Sequence, residues 1–343
     1  MSYTDIDKPT DYFNTVAYSG TGVNPTSITS LDFKPDFLWI KSRSDAFSHL
    51  LFDAVRGVDK RLISNSTGAE TTEVQISSFD TNGWTMDSDT ANNGSGKTYV
   101  GWSWLGSNTT ASNTSGSITS TVSANTTSGF SIVSWTGTGA NATVGHGLGV
   151  APKVIIIKNR IDAVNWEVGL DSIGWTKKLR LNTTDVETTD NGAFNDTAPT
   201  SLVFSLGNNG TSNGSGDSMI AYCFAEKQGY SKFGNYFGNG STDGTFVYTG
   251  FKPAFIMIKD ADNLEQWFIF DNKRNTSNVS KNLLYASDPA AETTSGANQI
   301  DILSNGFKMR STNNGTNRSG GEGFTYMAFA EEPLVGDNPA TAR

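Results

Sequence analysis

The chain has 343 residues, of which only 17% are charged, with 36 glycines, a net charge of −9 and a pI near 4.8. No Lys or Arg run exceeds two, so the basic clusters that nucleic acid or an anionic membrane would require are missing and neither is expected as a partner. The lone Cys223 excludes an intramolecular disulfide framework, and Met1-Ser2-Tyr3-Thr4-Asp5-Ile6-Asp7, with neither a basic nor a hydrophobic leader, predicts no signal peptide and, with only short apolar runs to follow, no membrane insertion.

Residues 1–106 read as a first module. Phe37-Leu38-Trp39-Ile40 is a continuous apolar run, which suits a sheet strand covered on both faces. It is led by Pro35 and closed by Lys41, and Asp53 and Glu70-Thr71-Thr72 follow. Asn82-Gly83-Trp84 signals a hairpin, and Asn93-Gly94-Ser95-Gly96 a second one that feeds Tyr99-Val100-Gly101-Trp102-Ser103-Trp104. In that last strand large residues alternate with small ones, so one face fills a core and the other admits a close neighbour.

Residues 107–128 are almost wholly Ser, Thr, Asn, Gly and Ala and read as a linker, although the alternation in Ser117-Ile118-Thr119-Ser120-Thr121-Val122 leaves room for an added edge strand. The first module then returns twice, over 129–226 and 227–334. The landmarks Pro35, Lys41 and Glu70 recur as Pro152, Lys158 and Glu187, then as Pro253, Lys259 and Glu292; proline leads lysine by six each time and glutamate by 35, 35 and 39. Asp53, Asp171 and Asp271 lie 18, 19 and 18 residues after their prolines. The Asn82-Gly83 hairpin returns as Asn305-Gly306-Phe307, but the middle module has Ser201-Leu202-Val203-Phe204 there. The short join between the second and third modules predicts that these two pack as a pair. Residues 335–343 form an irregular tail.

Short strands rich in Ile, Val, Phe, Trp and Tyr, turn signals between them and no sustained 3.6-residue period predict an all-β fold: three tandem antiparallel β-sandwich modules of jelly-roll or lectin-like type. A chain made by triplicating one module is specified for shape and surface more readily than for a single asymmetric reaction centre.

The chemistry-bearing residues agree. His49 and His146 occupy different places in their modules, and neither pairs with Cys or Asp at ligand spacing, so no metal, cofactor or catalytic residue is expected. Asp53, Asp171 and Asp271, and with them Glu70, Glu187 and Glu292, are the carboxylates a glycosidase reading would draw on, Asp171 and Glu187 being the ones to change in a test of it. Kept in triplicate, they read instead as fold determinants: Asp53 with Arg56 and Asp271 with Arg274 as local pairs, Glu-Thr-Thr as a source of local backbone acceptors, and the lysines as stems covering apolar surface where a buried strand meets solvent. Gly137-Thr138-Gly139 has no helix after it and implies no dinucleotide site. Trp84, Trp166, Trp175 and Trp267 read chiefly as core plugs, with sugar stacking as the alternative.

Tyr3-Thr4-Asp5-Ile6-Asp7-Lys8-Pro9, Phe52-Asp53-Ala54-Val55-Arg56-Gly57, Gly145-His146-Gly147-Leu148-Gly149-Val150-Ala151-Pro152, Ile220-Ala221-Tyr222-Cys223-Phe224-Ala225-Glu226 and Tyr326-Met327-Ala328-Phe329-Ala330-Glu331-Glu332-Pro333 ahead of Thr341-Ala342-Arg343 resemble an uncharacterised family of virion structural proteins from tailed phages of marine bacteria. That resemblance spans the chain and implies a place on the particle exterior, as tail fibre, spike or head decoration, after assembly in the host cytoplasm. It brings no catalytic residues. The partners expected are other virion proteins, further copies of the chain (a trimer favoured, packed through the small-residue faces) and a host surface glycan; the rival reading of another class is a glycan-cleaving tailspike.

Overall fold

The computed structural model describes residues 3–341 other than 295 and 322, so Ala342 and Arg343 of the expected tail lie outside the described residues. All named strand pairings are antiparallel, and the chain is all-β apart from single helical turns. Three large sheets carry it. The first has the order Phe13–Ser19, Thr98–Trp104, Phe37–Ser42, Leu50–Asp53, Gly57–Ile63, Thr71–Thr72, and the third repeats that order with Ser231–Phe237, Gly323–Pro333, Phe251–Asp260, Trp267–Asp271, Asn282–Tyr285, Thr293–Thr294. The second places Phe130–Thr136, Ser218–Phe224, Val154–Asn159, Glu167–Leu170, Lys177–Arg180 and Thr188–Thr189 alike.

The second sheet extends two strands further. Ala111–Asn113 and Ser120–Asn125 lie inside the stretch expected to be a linker and form its edge. The sequence conceals this because the buried side chains there are mostly hydroxyls: Ser120 Oγ donates to Gly145 O at 2.8 Å, and Ser123 Oγ accepts from Ser107 N at 3.0 Å, while Val122, with Ile118 and Ala124 partly buried beside it, supplies the apolar anchor. Hydrogen bonding replaces apolar alternation as what fixes the register.

A smaller sheet covers one face of each large one: Thr26–Ile28, Gly83–Met86 and Ile76–Asp80 in the first module, and Phe246–Tyr248, Gly306–Met309 and Ile300–Leu303 in the third. In the second only Ala142–Gly145 and Val203–Leu206 pair, and a helical turn, Asn191–Phe194, packs Phe194 against Trp175 where the missing hairpin would lie.

The other faces of the three large sheets meet in one central core. The continuous apolar runs divide by parity, as a strand buried on both sides must. Phe37, Trp39, Val154, Ile156, Phe255 and Met257 enter the shared core, whereas Leu38 and Ile40, Ile155 and Ile157, and Ile256 and Ile258 face their own small sheets. Trp102, Trp104, Tyr222, Phe224, Met327 and Phe329 are likewise central. Phe37 stacks on Tyr222 at 4.2 Å, and Trp104 meets Phe255 at 5.9 Å and Phe329 at 5.5 Å, so rings from all three modules touch. The second and third modules therefore do not form a separate pair. Nor are the small-residue faces free for another chain: they lie under the module's own small sheet, and a Cβ on Gly101 would come within 2.9 Å of the Trp84 ring.

The polar turns before the last strands also differ from expectation. Asp89, Asn209 and Asn313 cap single helical turns whose last residues, Asn93, Asn213 and Asn317, are buried side-chain clamps. Each accepts from the backbone N–H of Thr21, Thr138 or Asn239 at 2.9–3.0 Å and donates to two nearby carbonyls. Positive φ falls not on these asparagines but on Gly96, Gly216 and Gly320. The clamped residues lie in Gly20-Thr21-Gly22, Gly137-Thr138-Gly139 and Gly238-Asn239-Gly240, so Gly137-Thr138-Gly139 is one of three structural copies; Gly22, Gly139 and Gly240 hold φ of +68°, +67° and +63°.

A shared core predicts shared unfolding. Differential scanning calorimetry of the full chain should give one transition with equal calorimetric and van't Hoff enthalpies; three resolved transitions would contradict the central core.

Candidate functional site

The repeated polar residues converge on the three seams between modules, which close as a ring. The backbone N–H of Glu70 in module one donates to Arg160 O in module two at 2.9 Å, that of Glu187 in module two to Ala261 O in module three at 2.8 Å, and that of Glu292 in module three to Arg43 O in module one at 2.8 Å. The glutamate of Glu-Thr-Thr therefore reaches across to the next module, while its two threonines pair with the preceding strand of their own module.

At two seams the carboxylate holds a bidentate guanidinium. Arg160 Nε and Nη2 donate to Glu70 Oε2 and Oε1, both at 2.8 Å, and Arg43 Nε and Nη2 donate to Glu292 Oε2 and Oε1 at 2.9 and 2.8 Å. A second arginine backs each carboxylate. Arg56 Nη1 donates to Glu70 at 3.0 Å and its Nε to Asp53 Oδ2 at 2.5 Å; Arg274 makes the same contacts with Glu292 at 3.2 Å and Asp271 at 2.6 Å. The expected local pairs Asp53–Arg56 and Asp271–Arg274 are thus present, fully buried, and joined to a neighbour: Tyr222 Oη donates to Asp53 Oδ2 at 2.8 Å and Trp102 Nε1 to Asp271 Oδ2 at 3.2 Å. Burial disfavours the Arg56 cation, but Asp53 and Glu70 outweigh it and raise its pKa; burial likewise opposes ionisation of Glu70, and Arg160 and Arg56 reverse this and lower it.

The seam between modules two and three is built differently. Position 261 is alanine where the others carry Arg43 and Arg160, and the strand register puts Leu170 and Ile173 where they carry Asp53 with Arg56 and Asp271 with Arg274. Glu187 meets Lys177 of its own module, and Asp171, half exposed, meets Lys153 at 2.7 Å and Trp175 Nε1 at 3.3 Å. Asp171 falls one residue past the register of Asp53 and Asp271: Leu170 pairs with Val154 as they pair with Phe37 and Phe255, and the Asp171 N–H donates to Lys153 O as the Ala54 and Asn272 N–H groups do to Asp36 O and Ala254 O.

Lys41, Lys158 and Lys259 depart furthest from expectation. All are wholly buried, and their ammonium groups are not drawn out to solvent. Lys41 Nζ donates to Ser42 O at 2.6 Å and Asp45 O at 3.3 Å, Lys158 Nζ to Asn159, Asp162 and Val164 carbonyls at 2.8–3.1 Å, and Lys259 Nζ to Asp260 and Asn263 carbonyls and, across the seam, to Thr184 O at 3.2 Å. Burial lowers the pKa of each to about 8. Pro35, Pro152 and Pro253 are buried at the other end of the same strand, Pro253 at a bulge where its missing N–H leaves no gap in the ladder.

The tryptophans are all core residues. Trp166 Nε1 donates to Ile63 O and Trp267 Nε1 to Arg180 O, each across a seam at 2.9 Å. The same position, 14 residues after the proline, is His49 in the first module; its Nδ1 accepts from Trp39 Nε1 at 2.8 Å, and burial and then Lys41 hold its pKa well below the usual histidine range. His146 is buried, which lowers its pKa, with Nδ1 accepting from Leu148 N at 3.2 Å. No group of three or more His, Cys, Asp or Glu that could hold a metal occurs among the described residues, and no helix there is long and apolar enough to cross a membrane.

The chain belongs to the family Domain of unknown function (DUF7483). The family model matches residues 8–333, a span that takes in every strand and all three seams. No curated protein and no solved structure matches the chain.

Arg56→Met leaves Asp53 buried without its cation and should cost about 3–5 kcal/mol, whereas Lys153→Met at the exposed Asp171 should cost under about 1 kcal/mol, both read by urea denaturation. For the lysines, the unfolded chain binds more protons than the folded one between pH 8 and 10.5, so stability rises through that window; the penalty of burying the charge is fully present below pH 8. Each lysine contributes at most about 3 kcal/mol to that rise. Unfolding free energies at pH 7 to 9.5 should climb, and Lys158→Met should flatten the slope; an unchanged slope would rule out the buried-charge account.

Proposed function

We propose that the chain is a non-enzymatic structural protein of a phage particle's exterior, of tail-fibre or spike type, that contributes to host attachment. One observation carries this reading: all six repeated carboxylates are already engaged by a cation. Asp53, Asp171 and Asp271 pair with Arg56, Lys153 and Arg274, and Glu70, Glu187 and Glu292 pair with Arg160, Lys177 and Arg43. A glycosidase needs one carboxyl free to hold a proton at neutral pH and a second free to attack or activate water. Here four of the six, Asp53, Glu70, Asp271 and Glu292, join one module to the next instead.

The family resemblance supports a place on the virion, among other virion proteins and in multiple copies. For attachment, the third module offers what the buried tryptophans do not. Phe237, Phe246 and Tyr248 are exposed, and the strands that bear them are tied by Thr245 Oγ1 donating to Phe237 O at 2.6 Å. Exposed aromatic faces suit stacking on the rings of a surface glycan, with avidity from many copies.

Purified chain incubated with host surface polysaccharide should bind it without releasing reducing ends. Binding should fall when Phe246 and Tyr248 are changed to serine. Sustained turnover lost in Asp171→Asn or Glu187→Gln would replace this reading with a glycan-cleaving one. Immunogold labelling should mark the tail of intact particles, and label on the head would defeat the fibre assignment in favour of decoration.

A further inference from the structure

The three seams are equivalent in backbone and unequal in side chains, and the inequality leaves a cleft. The Glu187 N–H to Ala261 O bond of 2.8 Å matches its counterparts at Arg160 and Arg43, so the Glu187 carboxylate is delivered to the place where Glu70 and Glu292 each grip a guanidinium. Ala261 supplies no such group, and Ile173 stands where the second arginine would be. Beside them lies a cleft of about 170 Å³ whose lining includes Ile173, Lys177, Glu187, Ala261, Asp262 and Phe324. At roughly 30 Å³ per water, it has room for about five waters, enough for a planar guanidinium head.

We propose that this cleft receives the arginine side chain of another polypeptide, which completes in trans the contact that the other two seams make in cis. The chemistry favours arginine over other cations. Glu70 and Glu292 hold their guanidiniums through two parallel N–H···O bonds, a geometry an ammonium cannot reproduce. Lys177 is the occupant to be displaced: its side chain is 39% exposed and single-pronged, and the Asp262 side chain at the rim adds a second carboxylate whose Oδ2 accepts from Gly323 N at 2.7 Å. With a net charge of −9, the chain also draws a basic partner toward it.

The test uses the intact chain and two capped tripeptides, Gly-Arg-Gly and Gly-Lys-Gly, titrated by isothermal calorimetry or by NMR shifts. The arginine peptide should bind saturably and the lysine peptide several-fold more weakly. Glu187→Gln should weaken arginine binding at least about tenfold through loss of the charged bidentate contact. Ala261→Arg supplies the guanidinium in cis; it should abolish binding and raise Tm. Equal binding of the two peptides, no saturable binding, or arginine binding unchanged in Glu187→Gln would overturn the proposal. Binding that survives in a folded Ala261→Arg would do the same.

Discussion

Each large sheet has two apolar faces and only one small sheet to cover them. That mismatch dictates the architecture. Val154, Ile155, Ile156 and Ile157 are all buried, yet only Ile155 and Ile157 face the module's own second layer. The remaining face would present Tyr222, Phe224, Trp166 and Val168 to water, an apolar patch far larger than a soluble surface tolerates. Three such faces turned inward bury one another. Ring closure is therefore a consequence of strands that are hydrophobic on both sides, and a single module is an incomplete structure.

Closing a ring on apolar contact alone would leave it without direction, since hydrophobic burial is non-directional. The seams supply direction through polar groups at the rim of the core. A buried carboxylate is costly without its partner, and a bidentate guanidinium fixes both distance and orientation. Tyr222 and Trp102 connect the two regimes. Each places its ring in the shared core and its polar atom on the aspartate of the adjacent module, Asp53 or Asp271. Central packing and seam geometry are thereby coupled through single side chains.

Much of this was legible in the sequence and some was hidden for definite reasons. The fold class and the strand positions followed from apolar runs and turn residues. The double burial of Phe37-Leu38-Trp39-Ile40 followed from the run being continuous, but periodicity states that a face is covered and not by what. Lys41 shows how far parity could have gone: it falls on the same side as Phe37 and Trp39, the central side, which argues against an exposed end. The segment 107–128 was obscured because its buried contacts are hydroxyl hydrogen bonds. The asparagine clamp could have been found from a spacing, since Asp89, Asn209 and Asn313 each precede an asparagine by four residues. The seam contacts could not, because Glu70 and Arg160 are 90 residues apart and no local pattern links them.

The departures from threefold likeness gather in the middle module. It alone carries extra edge strands, alone lacks the three-stranded cover, and alone lacks an arginine after its repeated aspartate. A closed ring explains why such drift is tolerated. With the first module fastened on both sides by Arg160–Glu70 and Arg43–Glu292, the second and third are already held at fixed positions, and the last contact forms between surfaces brought together by the other two. Its carboxylate is then freed from a structural duty that its two counterparts still perform. The backbone bond, the tryptophan bridge from Trp267 to Arg180 and the Ser172–Thr325 hydroxyl pair at 2.7 Å suffice to keep that seam shut while its rim diverges.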